Sequence, residues 1–120
     1  MASRTPARPS ARLPASNVAP LPPVLRRLEQ TLTTGNLWLS VLSLAAKRKI
    51  YAYNLPEEIR RSFHFLPSRL LVYLVLYRLE GEGMLTSAED GRRRYYSLTS
   101  KGKAALANGK ALLRKRANEL

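Results

Sequence analysis

Arg92, Arg93 and Arg94 stand in a row, and Tyr95 and Tyr96 follow at once. Guanidiniums stay protonated at any physiological pH, so three of them offer no proton-transfer chemistry. What they offer is anion binding. Phosphate oxygens would offset their mutual repulsion, and counterion release would add to the gain. In an extended segment side chains alternate faces, so Arg92 and Arg94 share one side and Arg93 shares the other with Tyr95. A narrow minor groove, with its enhanced negative potential, suits an arginine inserted from such a strand. Paired tyrosines at the base of a strand usually split into one buried and one exposed ring.

Two further basic groups could act with this one. Ser68 and Arg69 stand where a helix begins. A helix N-terminus with a hydroxyl is a phosphate site, and an arginine there reaches a phosphate or a guanine edge. The plainer alternative is an ordinary cap beside a solvated arginine. Lys47, Arg48 and Lys49 form the other group, either flanking a nucleic-acid backbone or lying in a solvated loop. Arg114, Lys115 and Arg116 fit a solvated helix end that complements the helix dipole.

Other chemistry is hard to assemble. The chain has one histidine, His64, and one aspartate, Asp90. It has no cysteine, which excludes disulfides and thiolate metal sites. No phosphate loop, metal-ligand spacing or dinucleotide fingerprint appears. His64 lies in Ser-Phe-His-Phe at a helix end, where a cap or half-buried ring is expected rather than a base. No enzyme, metal site or cofactor is expected. Trp38 fits a core better than a ligand platform, and no residue pattern supports a small-molecule effector.

The charge balance agrees with anion binding. Lysine and arginine number 21 against 8 acids, a net charge of +13 over 120 residues. Such a surplus points to polyanions, with double-stranded DNA first and an acidic membrane surface second. The N-terminus lacks the apolar core of a signal peptide. The longest apolar run, Leu70 to Tyr77, is too short to span a bilayer. The cytoplasm, on the nucleoid, is the expected location.

The elements that must position these residues follow from periodicity and punctuation. Residues 1–20 are rich in Pro, Ala, Ser and Arg and carry no acid, which predicts a disordered basic arm. A folded domain is expected over 21–120, with its first helix opened by Pro23 and stopped by Gly35. Asn36 should cap a second helix to about Lys47, apolar nearly all round and therefore central. Ile50 and Tyr51 suit a very short strand. Asn54 and Glu57 resemble a capping box for a third helix over about 55–64. Ser68 caps a fourth, which ends at Gly81 or Gly83. Residues 84–88 read as a strand, Asp90-Gly91 as a hairpin turn, and 92–98 as the return strand. Thr99 caps a last helix reaching nearly to Leu120. The fold class is mainly α with a small β-hairpin, the layout of a winged helix-turn-helix flanked by an N-terminal and a C-terminal helix.

At this point Tyr77-Arg78-Leu79-Glu80-Gly81-Glu82-Gly83-Met84-Leu85 resembles the end of the recognition helix in PadR-type transcriptional regulators. Arg93 through Gly102, R-R-Y-Y-S-L-T-S-K-G, is similar to the wing signature of that family. Ala52-Tyr53-Asn54-Leu55 looks like its Gly-Tyr-x-Leu element, and Tyr73 falls where the family carries a tyrosine in the recognition helix. The resemblance covers about residues 36–105. It implies a dimeric repressor of operator DNA, helical apart from its wing, sometimes with a small-molecule effector. In a homodimer the expected contacts are Leu25 and Leu28 of the first helix with Leu106, Leu112 and Leu113 of the last.

The chain departs from the family in two places. Ala52 stands where glycine is usual, and residues 70–77 are apolar where the family's helix starts polar. By helical spacing Val72, Leu76 and Leu79 should face the core, leaving Leu70, Leu74 and Tyr77 outside. Outward apolar groups on a groove-facing helix contact thymine methyls, or else suit a protein interface. Two functions from other classes therefore stand beside a DNA-binding transcriptional regulator. One is a chromatin or architectural protein that binds nucleic acid by charge alone. The other is a winged-helix adaptor for a protein partner.

Overall fold

The computed structural model describes residues 21–120, so the expected basic arm lies outside the described residues. Helix α1 (Pro23–Leu32) opens with proline at its first turn, where the missing N–H costs no hydrogen bond. A 3-10 turn, Thr34–Asn36, leads to α2 (Leu37–Ala45). The short strand β1 (Ile50–Tyr51) and a second 3-10 turn precede α3 (Leu55–Phe63). Then come α4 (Arg69–Gly81), strands β2 (Leu85–Asp90) and β3 (Arg93–Leu98), and α5 (Ser100–Glu119).

Helix α2 is the centre, as its apolar composition requires. Leu37, Val41, Leu42 and Leu44 are all buried, and α3, α4 and α5 pack around it. From α4 come Val72, Leu76 and Leu79, the face expected from helical spacing. Leu70, Leu74 and Tyr77 point away and stay exposed. Leu106 of α5 also belongs to this core, only 8% exposed. It was expected on a dimer interface with Leu112 and Leu113, but the start of α5 packs back on the chain's own α2. Leu112 and Leu113, further along α5, remain exposed. So does the apolar face of α1, which buries none of its residues among the described ones.

The expected hairpin is part of a three-stranded antiparallel sheet in the order β1-β3-β2. Strand β1 pairs Ile50 with Tyr96 and Tyr51 with Tyr95. The turn sits one residue later than Asp90-Gly91 suggested. Asp90 still pairs with Arg93, and Gly91 (φ 67°) and Arg92 form the tip. Only Gly91 of that pair has positive φ. That matches a turn with glycine at its first central position, which spares Asp90 a strained conformation. Arg92 is therefore a tip residue rather than the first residue of β3.

Caps divide into those that form and those that do not. Ser68 Oγ accepts from the Leu71 N–H at 3.1 Å, and Thr99 Oγ1 from the Gly102 N–H at 3.0 Å. Thr99 also donates to the Gly83 carbonyl at 2.6 Å, joining the end of α4 to the start of α5. Asn36 caps nothing. Its amide donates to the Thr31 carbonyl at 2.6 Å, and its oxygen accepts from Trp38 Nε1 at 3.3 Å. Asn54 caps nothing either, because its backbone is helical (φ −85°, ψ −9°) where a cap needs an extended residue. Glu57 takes Arg60 instead of the backbone, with Arg60 Nε donating at 3.0 Å. His64 ends α3 in the left-handed region (φ 67°), its N–H donating to the Arg60 carbonyl.

Gly102 lies where α5 crosses the base of the wing. A Cβ there would collide with the Met84 carbonyl oxygen and sit 2.7 Å from Leu98 Cδ1. Gly81, in the last turn of α4, faces open space. The two glycines should therefore respond oppositely to alanine. Gly102→Ala is expected to destabilise by about 1–3 kcal/mol through overpacking. Gly81→Ala should stabilise by about 0.5–1 kcal/mol, since it relieves glycine's backbone entropy. Urea unfolding of both variants checks the pair.

Candidate nucleic-acid interface

Strand alternation sorts the wing residues. On β3 Tyr96 points inward and is buried, while Tyr95 and Arg93 share the outer face. The tyrosine pair splits to opposite faces, although Tyr95 is half-buried and not fully exposed as expected. Burial raises the Tyr96 phenol above its ordinary pKa, so it stays neutral in the core. Tyr51, opposite Tyr95 on β1, faces outward too, and the two rings lie 5.5 Å apart. Tyr53, in the 3-10 turn after β1, continues the row at 6.2 Å from Tyr51.

Three cations fill this row. Arg69 lies over Tyr53 at 4.3 Å, Arg93 over Tyr51 at 5.0 Å, and Lys49 over Tyr95 at 5.6 Å. Arg69 also donates to the Tyr53 carbonyl at 2.8 Å. The neighbouring Tyr95, and after it Tyr51, push the Arg93 pKa above its ordinary value, so that guanidinium stays charged. Cation and ring attract through the ring quadrupole, so each of the three rings holds one positive group over its face. The result is a continuous strip from the first residue of α4 to the wing. It joins Arg69, Arg93 and Lys49, three residues that sequence reasoning had placed in three separate groups.

The other expected residues divide. Arg92 stands exposed at the wing tip. Arg94 faces Glu89 across the hairpin at 3.5 Å, a weak exposed pair that leaves it accessible. Arg48 pairs with Glu58 at 3.3 Å and remains exposed. Lys47 is exposed beside a recess shared with Lys103. Ser68 caps α4 beside Arg69, at the start of the strip. Tyr73 is 40% exposed on the outer side of α4. Sequence reasoning missed Tyr51 and noted Tyr53 only through resemblance. The available signal was Tyr51-Ala52-Tyr53 directly after a basic run, aromatics interleaved with cations.

Helices α3 and α4 form the helix-turn-helix, and α4, its second helix, presents its exposed N-terminal half beside the strip. A separate apolar recess of about 460 Å³ lies between α2, α4 and α5, lined by Leu37, Trp38, Leu71 and Val75. Trp38 also packs against the core, as expected. Among the described residues no cluster suited to a metal ion occurs, and no helix is long and apolar enough to cross a membrane.

Residues 41–108 match the family model described as the transcriptional regulator PadR-like family. The chain belongs to that family. Members of the PadR-like family are transcriptional regulators, not enzymes. A transcriptional regulator of Mycobacterium tuberculosis is 36% identical over 87 residues, spanning 68% of this chain and 79% of that protein. The crystal structure of a PadR-family regulator from Eggerthella lenta matches with a TM-score of 0.65 at 26% identity. The match covers 80% of this chain and 88% of that one. A regulator from Clostridium thermocellum shares the fold at a TM-score of 0.61 and 23% identity, over 83% and 97% of the two chains.

Tyr51 is the middle ring of the strip. Tyr51→Ala should lower stability by about 1–2 kcal/mol and speed hydrogen exchange along β1 and β3, since ring contacts exceed simple burial. Tyr51→Phe should restore most of the loss, because the contacts use the ring and not the hydroxyl. Denaturant unfolding and exchange measurements on both variants check this.

Proposed function

We propose that this PadR-like regulator binds double-stranded DNA through the wing and α4 together, as a homodimer working on the cytoplasmic nucleoid. The observation that carries the proposal is the row of three rings, each with a cation over it. It sets Arg69, Arg93 and Lys49 on one side of the molecule, next to the exposed Arg92. Phosphates positioned along the strip would release counterions and fix the register of α4 in the major groove. Arg92 leads the wing toward the neighbouring minor groove, where negative potential is highest when the groove is narrow.

The exposed apolar faces support a pairing of two copies. Leu25 and Leu28 on α1 and Leu112 and Leu113 on α5 are all at least 44% exposed. Helices that expose such rows seldom remain alone in water. Pairing them about a two-fold axis would place two wings and two α4 helices about one DNA turn apart, ~34–36 Å. Leu28→Lys combined with Leu113→Lys is expected to give a monomer by sedimentation, with weaker DNA binding.

A second reading is an architectural protein that binds DNA by charge. The apolar residues Leu70, Leu71, Val72 and Leu74 in the first turns of α4 favour it. Titration against random duplex and against the upstream region of the gene, at several salt concentrations, separates the two. A steep salt slope with clear preference for the upstream fragment supports the regulator. A steep slope without preference supports the architectural protein, and no binding at low salt would sink both. Replacing Arg92, Arg93 and Arg94 by alanine should flatten the log–log salt slope by about 2–3, since each lost phosphate contact removes ~0.9.

A further inference from the structure

The outer face of α4 carries chemistry that a charge strip does not explain. Residues 69–77 read R-L-L-V-Y-L-V-L-Y. Arg69 is the only ionised side chain among them, and it is committed to the Tyr53 ring and carbonyl. Asparagine, glutamine and lysine are absent from this stretch. Arg78, the next cation, stands one turn beyond Leu74 and shares a recess with Leu74 and Tyr77, so a guanine contact by α4 would have to come from the C-terminal end of the stripe. Bidentate recognition of guanine takes a free Arg or Lys, and that of adenine an Asn or Gln. The tyrosine hydroxyls of Tyr73 and Tyr77 offer one donor each, which cannot make either pair.

What the face does present is a continuous apolar stripe. Leu70, Tyr73, Leu74 and Tyr77 follow one another at helical spacing, between 40% and 80% exposed. From the first to the last is ~10 Å along the helix axis, about three base-pair steps. The apolar group that a base offers in the major groove is the 5-methyl of thymine. Basic groups border the stripe at its N-terminal end, where the cation–ring strip begins. A partner with phosphates on the outside and apolar groups within the groove fits both features.

Resting on the proposed DNA binding, we propose that α4 reads thymine directly through its 5-methyl groups, with Leu70, Leu74 and Tyr77 as the specificity-determining residues. Recognition by this helix depends on burying methyl groups instead of pairing with base edges. Preference then follows the number and placement of thymines on either strand across about three base pairs. Cytosine methylated at the same ring position becomes a partial mimic, because it presents the same group at the same depth in the groove.

The test uses the full chain and four duplexes. Two share one A·T-only sequence, one with thymine and one with deoxyuracil, which lacks only the methyl. The others share one G·C-only sequence, with cytosine or 5-methylcytosine. Burying two or three methyls predicts that uracil weakens binding by about tenfold or more, and that 5-methylcytosine strengthens it. Leu70→Ala with Leu74→Ala, both exposed positions that leave the core intact, should abolish the discrimination and keep the salt slope. Equal salt-dependent affinity for the thymine and uracil duplexes would overturn the proposal and leave DNA binding standing. So would a double variant that still discriminates. No binding to any duplex at low salt would overturn the DNA-binding reading itself.

Discussion

Two residue pairs tie the wing to the helical core: Ile50 with Tyr96, and Tyr51 with Tyr95. Everything at the surface depends on them. The inward members, Ile50 and Tyr96, lock β3 against the hydrophobic centre. The outward members start the row of rings on which the cations rest. A hairpin alone would be marginal in water and free to swing. With β1 as its third strand, the wing has a fixed base, and the direction of Arg92 and Arg93 is set by packing instead of chance.

The same pairing answers why three arginines are tolerated side by side. Each meets a different neighbour. Arg93 lies over Tyr51, Arg94 leans toward Glu89, and Arg92 occupies the turn. Alternation along the strand separates the charges, and local partners soften what repulsion remains. None of those partners is buried deeply enough to hide an arginine, so the wing stays available to an anion.

Much of this was legible in the sequence, and the failures have physical causes. The helical spacing of Val72, Leu76 and Leu79 and the caps at Ser68 and Thr99 are local matters, and local reasoning found them. Asn36 and Asn54 failed as caps because each stands in a 3-10 turn, a conformation that residue type does not reveal. The hairpin turn shifted by one because a glycine can serve either central position. Leu106 failed for a different reason. The apolar stripe of α5 is continuous, but the core ends partway along it, and periodicity carries no mark of that boundary. Arg69 and Tyr53 lie 16 residues apart, so their contact belongs to tertiary structure alone.

The hydrogen bonds of Thr99 have a mechanical consequence. One hydroxyl grips the Gly83 carbonyl and the Gly102 N–H, while Gly102 rests directly against Met84. The end of α4, the root of the wing and the start of α5 are thereby riveted at one point. Helix α5 cannot pivot without carrying the wing root along. In the proposed dimer α5 acts as a lever arm, and a small change in the angle between two such arms alters the span between the wing tips. Anything that lodges between the arms could then change the gauge of the pair while remaining remote from the surface it adjusts.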